Sequence, residues 1–302
     1  MITDVPTADE FRRSGVAFLN LAWNIASQLE FHFDNAEIST WDDDGEVTDE
    51  YWAAAQSSLA TAMTLAQQGS DFLLKSRIAE VSPYLLISSF PSDWPKRSYK
   101  ADVPYSAFKT VDAQDLIRVH DTVAATRLPS AFLERFDSLR RRRNMIMHTV
   151  NRHMRFAALD VFREVLEVSQ ALVGDCEWIG LRRGYLETNS EAIAYSCDPV
   201  PATMAQEFLR LVERLPQNDV KKHFDFDKKR RRYYCYECQM NCRDYYIEVR
   251  SAQLRPNSPH SRQVYCFICG KTQDVVRRHC TNRGCKGNVL DATDNTCLTC
   301  FS

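Results

Sequence analysis

Residues 140–150, "RRRRNMIMHTV", place four arginines, an asparagine and a histidine on one short stretch. Histidine titrates nearest to neutral pH, so His148 could accept or donate a proton in catalysis. Arginine offers planar donors to the negative charge that develops on a reacting phosphate, a role that Arg143 could take. Asn144 lies one turn before His148 and could hold the imidazole or contact the phosphate. These three residues are the catalytic candidates.

On a helix, Asp137, Arg141, Asn144 and His148 share one polar stripe. Arg143 lies about 140° from His148, close to the apolar side, where a guanidinium must snorkel, remain in water or pair. Arg141 shares the face of His148 and is also a candidate contact for RNA. The alternative interpretation of the whole stretch is a solvated charged face. The other arginines that could take the catalytic role are Arg140, Arg141 and Arg142.

Arg143, four intervening residues and His148, with Asn144 directly after the arginine, resemble the signature of the HEPN superfamily. The resemblance covers roughly residues 8–175. It implies a compact helical bundle with the motif on a late helix, and two motif copies that meet across the cleft of a homodimer. It also implies a metal-independent endoribonuclease that leaves a 2′,3′-cyclic phosphate. The family suggests a bacterial defence or toxin system, in which an inhibitor or a defence-complex partner would act on the protein.

One position departs from part of the family. Some HEPN toxins carry a tyrosine two residues after the histidine, where a nucleotidyltransferase antitoxin modifies it, and that position is Val150 here. This difference argues against such control. Arg152 and His153 are expected to be solvated or to contact RNA peripherally. The same spacing recurs at residues 255–260, in a loop rich in proline, where we interpret it as accidental.

Apolar residues at helical spacing predict an α-helical bundle over residues 1–175. A first helix is expected to start near residue 8, and later helices over about 49–81 and 111–126. Ser130 is the expected N-cap of the helix that carries the motif, and a fifth amphipathic helix follows. Residues 88–106 contain three prolines and are expected to form a long connection.

Residues 176–227 are predicted to be a helical connector between two domains. One helix is expected from about Ala202 to Leu215, and we see no catalytic constellation in this segment. Cys176 and Cys197 are expected to be small buried side chains.

The remaining nine of the eleven cysteines lie in the last 68 residues, and eight of them form pairs spaced Cys-x2-Cys or Cys-x4-Cys. In a chain without a secretion signal, such pairs indicate metal sites rather than disulfides. We therefore predict a domain of two zinc ribbons with short β-hairpins over residues 228–302, holding two structural zinc ions. Cys242 is interpreted as a spare thiol, and His279 as an alternative ligand. The expected ligands are Cys235, Cys238, Cys266 and Cys269 in the first site, and Cys280, Cys285, Cys297 and Cys300 in the second.

The formal net charge of −2 conceals an asymmetry between the two parts of the chain. Residues 228–302 carry a formal charge of +8, whereas residues 1–227 carry −10. A basic ribbon domain is suited to a polyanion, with cations on phosphates and aromatic rings on bases. The alternative is a ribbon used for protein contact or dimerisation. The residues predicted to bind RNA are Lys228, Lys229, Arg230, Arg231, Arg232, Tyr233 and Tyr234, together with Arg141.

Composition excludes some classes of protein. No apolar stretch approaches the roughly 20 residues that span a bilayer, and the first residues lack the apolar core of a signal peptide, so we expect a cytoplasmic location and no membrane partner. The sequence favours a HEPN-type endoribonuclease. Two alternatives remain: a non-enzymatic nucleic-acid-binding regulator whose bundle serves dimerisation, and an interaction subunit whose ribbons bind protein.

Overall fold

The computed structural model describes residues 1–96, 98–148, 155–190, 193 and 199–302. The side chain of His148 lies outside this part of the chain, as do Val150, Arg152, His153 and Cys197. What the sequence predicts for these residues therefore stays a prediction.

The chain divides into two compact units, Met1–Asp175 and Cys176–Ser302. The expected bundle coincides with the first unit. The segment predicted as a connector, residues 176–227, falls in the same unit as the cysteine-rich residues. Helices of that segment therefore belong to the body that carries the ribbons.

The first unit is helical, as the apolar spacing predicts. The helix expected over residues 49–81 is divided at Ala55 into α3 and α4. Ser130 is the first residue of α6, so it lies one position inside the helix rather than at the N-cap. The helices are α1 (Ala8–Asn35), α2 (Ile38–Trp41), α3 (Glu46–Ala54), α4 (Gln56–Ala79), α5 (Ala113–Val123), α6 (Ser130–His148) and α7 (Ala158–Leu172).

Helices α1 and α4 form the centre of the bundle, and α7 packs on both of them. The two helices approach each other closely at Gly15 and Gly69. A Cβ atom on Gly69 would come within 2.7 Å of the Leu19 side chain, and one on Gly15 would lie 3.0 Å from the Gly69 carbonyl oxygen. Trp23 of α1 packs edge-on against Phe162 of α7, with ring centroids 4.6 Å apart. Helix α6 packs mainly on α4.

The long connection between α4 and α5 is ordered by short elements. It contains three 3₁₀ turns, Pro83–Leu86, Pro91–Asp93 and Tyr105–Ala107. Strand β2 (Val103–Pro104) pairs in parallel with β1 (Ile2–Thr3) near the N-terminus. The connection is thus tied back to the start of the chain.

The second unit combines helices with one antiparallel sheet. Its strand order is β3-β4-β5-β6, and β5 pairs with β4 on one side and β6 on the other. The helix expected over 202–215 is present with slightly different bounds. The elements are α8 (Trp178–Thr188), α9 (Val200–Arg214), α10 (Gln217–Phe224), α11 (Tyr236–Asn241), β3 (Ala252–Leu254), β4 (Gln263–Cys266), β5 (Thr272–Val276) and β6 (Leu290–Asp291).

A buried ion pair joins α8 to α9. The Arg182 guanidinium donates from Nη2 to Oε1 of Glu207 at 2.6 Å and from Nε to Oε2 at 3.0 Å. Such forked pairing offsets part of the cost of removing both charges from water. Cys176, before α8, is exposed, so the prediction that it is buried was wrong. Within the described residues, no helix combines the length and apolar character needed to cross a bilayer.

The close approach of α1 and α4 gives a stability prediction. Gly69→Ala should lower the free energy of unfolding of the first unit by about 1–3 kcal/mol, because the new methyl group overpacks the contact with Leu19. Gly184→Ala is the matched control, since a Cβ on this α8 residue would meet nothing within 4 Å. It should raise the free energy of unfolding by about 0.5–1 kcal/mol through helix propensity. Calorimetry on both variants measures these changes, and an unaltered Gly69→Ala would contradict the packing described.

Candidate active site and metal centres

The four consecutive arginines of α6 have different surroundings. Arg140 and Arg141 both bond Asp137, with Nη2 to carboxylate oxygen distances of 2.8 Å in each case. The hydrogen bond from Arg140, followed by the charges of Arg141 and Arg140, lowers the pKa of Asp137. The Arg141 side chain is 68% exposed. The interpretation as a solvated charged face therefore describes Arg141 well.

Arg143 is half-buried and has a different partner. Its Nη1 donates a hydrogen bond to Oδ1 of Asn144 at 3.0 Å. The structure thus brings two of the three predicted catalytic side chains into direct contact. The sequence suggested that Asn144 would hold the imidazole or contact phosphate, and its described partner is instead the motif arginine.

A buried acid on the neighbouring helix lies in the field of these cations. Asp71 of α4 is 7% exposed. Burial raises the pKa of Asp71 to about 6, against the opposing effects of Gln67 and of the positive charges of Lys75, Arg143 and Arg140. Sequence reasoning missed Asp71. The available signal was a single carboxylate within the apolar pattern of α4.

A second buried acid faces the other side of α6. Glu164 of α7 forms an ion pair with Nη1 of Arg135 at 3.1 Å. The positive charge of Arg142 also acts to lower the pKa of Glu164. Burial raises the pKa of Glu164 despite these cations. Arg135 thus contacts Glu164, whereas the positive charges of Arg140 and Arg143 lower the pKa of Asp71, and that of Arg142 lowers the pKa of Glu164, without a described bond. Desolvated acid–base clusters of this kind occur at functional sites more often than on ordinary surfaces.

The eight predicted metal ligands form two groups of four. In each group the four sulfurs lie within 4.8 Å of one another. The Cys235–Cys269 and Cys238–Cys266 Sγ distances are 3.7 and 3.9 Å. Four thiolates around zinc at about 2.3 Å would be separated by about 3.8 Å in a tetrahedron, so the spacing fits.

The second group has the same geometry. Its Cys280–Cys300 and Cys285–Cys297 Sγ distances are 3.7 and 3.9 Å. Both groups are compatible with structural zinc, because each supplies four cysteines and leaves no position for a substrate. The grouping predicted from spacing is therefore reproduced, with one set of four in each ribbon.

Backbone turns position the sulfurs. In the first group Cys269 donates its N–H to Sγ of Cys266 at 3.5 Å, and Gly270 follows with a φ of 70°. In the second, the N–H groups of Asn282 and Gly287 point at Sγ of Cys280 and Cys285, both at 3.3 Å. Donors aimed at sulfur favour the thiolate form that binds a metal.

The two alternative ligands stay outside both groups of the described structure. Cys242 is buried, and burial raises the pKa of its thiol, so it is a neutral side chain in the interior. This agrees with its interpretation as a spare thiol. His279, next to Cys280, is exposed and is not part of the second group.

Three of the five side chains in the basic segment Lys228–Arg232 bond to groups within their own unit. The Lys228 ammonium donates to the carbonyl oxygens of Glu213 and Leu215 at 2.8 and 3.1 Å, which caps the C-terminal end of α9. Arg232 bonds the Glu213 carboxylate, and Arg230 pairs with Asp227 at 3.3 Å.

The other two cations of this segment are more available. Arg231 is exposed, with a weak 3.3 Å contact from Nη2 to Oγ1 of Thr299. Lys229 is exposed, and within the described residues its ammonium group makes no hydrogen bond or ion pair. These two are therefore the members of the predicted RNA-binding run that could meet a phosphate without first breaking an internal salt bridge.

Tyr233 and Tyr234 do not have the surroundings expected for base stacking. They are 4% and 5% exposed. The Tyr234 hydroxyl accepts a hydrogen bond from Arg250 at 2.9 Å, and its ring lies 5.3 Å from that of Phe301. Both rings therefore belong to the interior of the ribbon, and their predicted stacking on bases would require them to become exposed. Among the described residues of this unit, Tyr246 is an almost fully exposed aromatic side chain, at 96%.

The metal centres give a prediction with an internal control. Metal analysis should find about two zinc ions per chain, and Cys266→Ser and Cys297→Ser should each lose one, because a closed site depends on four thiolates. Cys242→Ser should keep both ions, since this buried thiol belongs to neither group. A chelator should remove the second ion first, because three of its four cysteines are half-buried whereas three of the first four are buried. Loss of an ion from Cys242→Ser would contradict the ligand assignment.

Comparisons of the chain with protein-family models, with curated proteins and with solved structures found no match.

Proposed function

We propose that this protein is an endoribonuclease of the HEPN type, which cuts RNA by attack of the 2′-hydroxyl without a catalytic metal. The observation that carries the proposal is the Arg143–Asn144 hydrogen bond on α6, one helical turn before His148, in a helical unit. The half-buried guanidinium, placed between Asn144 and the field of Asp71, supports a role beyond solvation of a charged surface.

Each motif residue then has a chemical task. His148 transfers the proton between the 2′-hydroxyl, the phosphate and the leaving oxygen. Arg143 stabilises the charge that develops on the phosphate. Asn144 holds the guanidinium of Arg143 through its Oδ1 atom, so that this donor is already oriented when the substrate binds.

The remaining parts of the proposal concern partners and setting. Two copies of the bundle would form a homodimer that places two motifs at one cleft, in a cytoplasmic defence or toxin system with an inhibitor or complex partner. The zinc ions would fold the ribbons, and the exposed cations of the second unit would contact RNA. The candidates among them are Lys229, Arg231, Arg278, Arg283 and Lys286, joined in the first unit by Arg141.

One observation favours a second function. Lys228, Arg230 and Arg232 are engaged within their own unit, and the neighbouring tyrosines are buried. This reduces the surface available to nucleic acid and fits a ribbon that binds protein. The second candidate is therefore a non-enzymatic regulator whose bundle dimerises and whose ribbons contact a protein partner.

Substitution of the motif residues tests the enzymatic proposal. His148→Ala should lower the rate of RNA cleavage by about 10²–10⁴, because a positioned proton-transfer group contributes on that scale. Arg143→Ala should be comparably damaging through lost phosphate stabilisation. Arg140→Ala is the matched control, because its guanidinium already bonds the Asp137 carboxylate, and it should retain most of the activity. Cleavage rates and product ends are measured on labelled RNA.

The product distinguishes mechanisms. A 2′,3′-cyclic phosphate end marks attack by the 2′-hydroxyl. RNA cut at full rate by His148→Ala, or wild-type protein that cuts no RNA, would reject the enzymatic proposal and favour the regulator.

Affinity for RNA tests the role of the basic segment. Replacing Lys229 and Arg231 by Ala should weaken binding and flatten its dependence on salt, since each lost phosphate contact lowers the slope by about 0.7 for a single strand. Lys228→Ala is the control, because Lys228 caps α9 and should affect stability more than affinity. Unchanged affinity and slope in the double variant would assign the ribbons to protein contact.

A further inference from the structure

The connection between α4 and α5 carries exposed aromatic rings. They lie in residues 88–109, named here the aromatic loop, all of which are described except residue 97. Phe90 is 75% exposed and Tyr99 is 81% exposed. Large aromatic side chains that stay in water along one short segment mark an interaction site more often than an ordinary surface.

Hydrogen bonds and ring packing hold the aromatic loop in shape. At its base the N–H of Ser88 donates to the carbonyl oxygen of Lys109 at 2.9 Å. Inside the loop, Nε1 of Trp94 donates to the carbonyl oxygen of Ser89 at 3.1 Å, and its ring packs edge-on against the buried Phe108 at 5.5 Å. Two aromatic rings thus anchor the loop, while the two exposed rings take no part in this packing.

The aromatic loop is also basic. Residues 88–109 contain four basic and two acidic residues, a formal charge of +2, whereas residues 1–87 carry −10. One of the two acids, Asp102, pairs with the amino group of Met1 at 2.7 Å. Lys96 and Lys100 are exposed, and their ammonium groups make no hydrogen bond or ion pair with the described residues. Both cations are therefore available to an anion.

One of these cations lies directly over an exposed ring. The Nζ atom of Lys100 is 5.2 Å from the centroid of the Tyr99 ring. Because Tyr99 is so exposed, the opposite face of its ring is open, and a base stacked there would bring its phosphate close to the ammonium group. Surfaces that bind single-stranded nucleic acid combine aromatic rings and cations in this way. Protein interfaces are depleted in lysine, so the pairing favours nucleic acid over a protein partner.

We propose that the aromatic loop binds single-stranded RNA: bases stack on Phe90 and Tyr99, and the phosphates contact Lys96 and Lys100. This inference rests on the proposed endoribonuclease function in taking RNA as the ligand, and it gives the first unit its own contact with the unpaired strand. Stacking accepts any base, so the aromatic loop contributes affinity for unpaired RNA rather than recognition of a sequence.

The test measures binding of the full-length protein to a labelled single strand of about 12 nucleotides, within the range of such sites. Its riboses carry 2′-O-methyl groups, so the 2′-oxygen cannot attack and binding is measured without cleavage. Phe90→Ala and Tyr99→Ala should each raise Kd at least about fivefold, because each removes a stacking surface for one base. Tyr99→Phe keeps the ring and should bind within about twofold of wild type.

Two controls separate stacking from general effects. Trp41→Ala removes a ring of the same unit that is 55% exposed but is followed by three aspartates, which repel phosphate, so its Kd should stay within about twofold of wild type. The same strand paired with its complement presents no unpaired base. Phe90→Ala and Tyr99→Ala should therefore change the affinity for this duplex by less than about twofold.

The lysines are tested by salt dependence. Replacing Lys96 and Lys100 by Ala should lower the slope of log affinity against log salt by about 0.7 for each lost phosphate contact. All the substituted side chains of the aromatic loop are exposed, so these variants should unfold at the temperature of wild type, which calorimetry checks.

The outcomes distinguish this inference from the proposed function. If the wild type cuts no RNA but loses affinity for the strand in the ring variants, the endoribonuclease proposal fails and the RNA contact stands. If the wild type cuts RNA but the ring variants bind the strand with unchanged Kd, the inference alone is overturned, and the exposed rings are assigned to a protein contact. An equal loss in Trp41→Ala, or equal losses for strand and duplex, would also overturn it.

Discussion

The contact between α1 and α4 at Gly15 and Gly69 determines where the rest of the first unit can lie. Two helices whose backbones approach this closely have little freedom to slide or rotate. Both α6 and α7 pack on α4, so its position fixes theirs. Asp71 follows Gly69 by two residues, and the same contact therefore sets how a buried carboxylate is presented to α6. The glycine contact therefore influences both the packing of the bundle and the position of the buried acid on α4.

In the second unit the corresponding constraint is the grouping of sulfurs. The strands of the sheet are short. Strand β5 pairs with β4 of the first ribbon and with β6 of the second, so one strand links the two groups of four cysteines. Buried aliphatic side chains such as Val264 and Leu298 form a core in the ribbons, and the residues before them add to it, as in the contact between Phe226 and Phe267 at 4.7 Å. The cysteine groups and the preceding helices thus belong to one body, which includes residues 176–227.

The sequence predicts features that depend on local spacing. Helical periodicity located most of the helices, and paired cysteine spacings identified both sets of ligands. The hydrogen bond between Arg143 and Asn144 and the influence of Asp71 depend on side-chain direction and on a helix far away in sequence, which no local pattern reports. The burial of Tyr233 and Tyr234 was missed for a related reason. A run of basic and aromatic residues resembles a nucleic-acid surface until the partners of each side chain, such as Glu213 for Arg232, are known.

The net positive charge of residues 228–302 would be smaller than their amino-acid composition suggests. Two tetrathiolate zinc sites would carry about −2 each, which reduces the formal +8 of residues 228–302 to roughly +4. Internal pairs of Arg230 and Arg232 with acidic side chains neutralise more of it. Nonspecific affinity for RNA depends on how many phosphates free cations can neutralise, and phosphate contacts carry no sequence information. In the proposed enzyme, selection of the cut site would therefore depend on the geometry around Arg143.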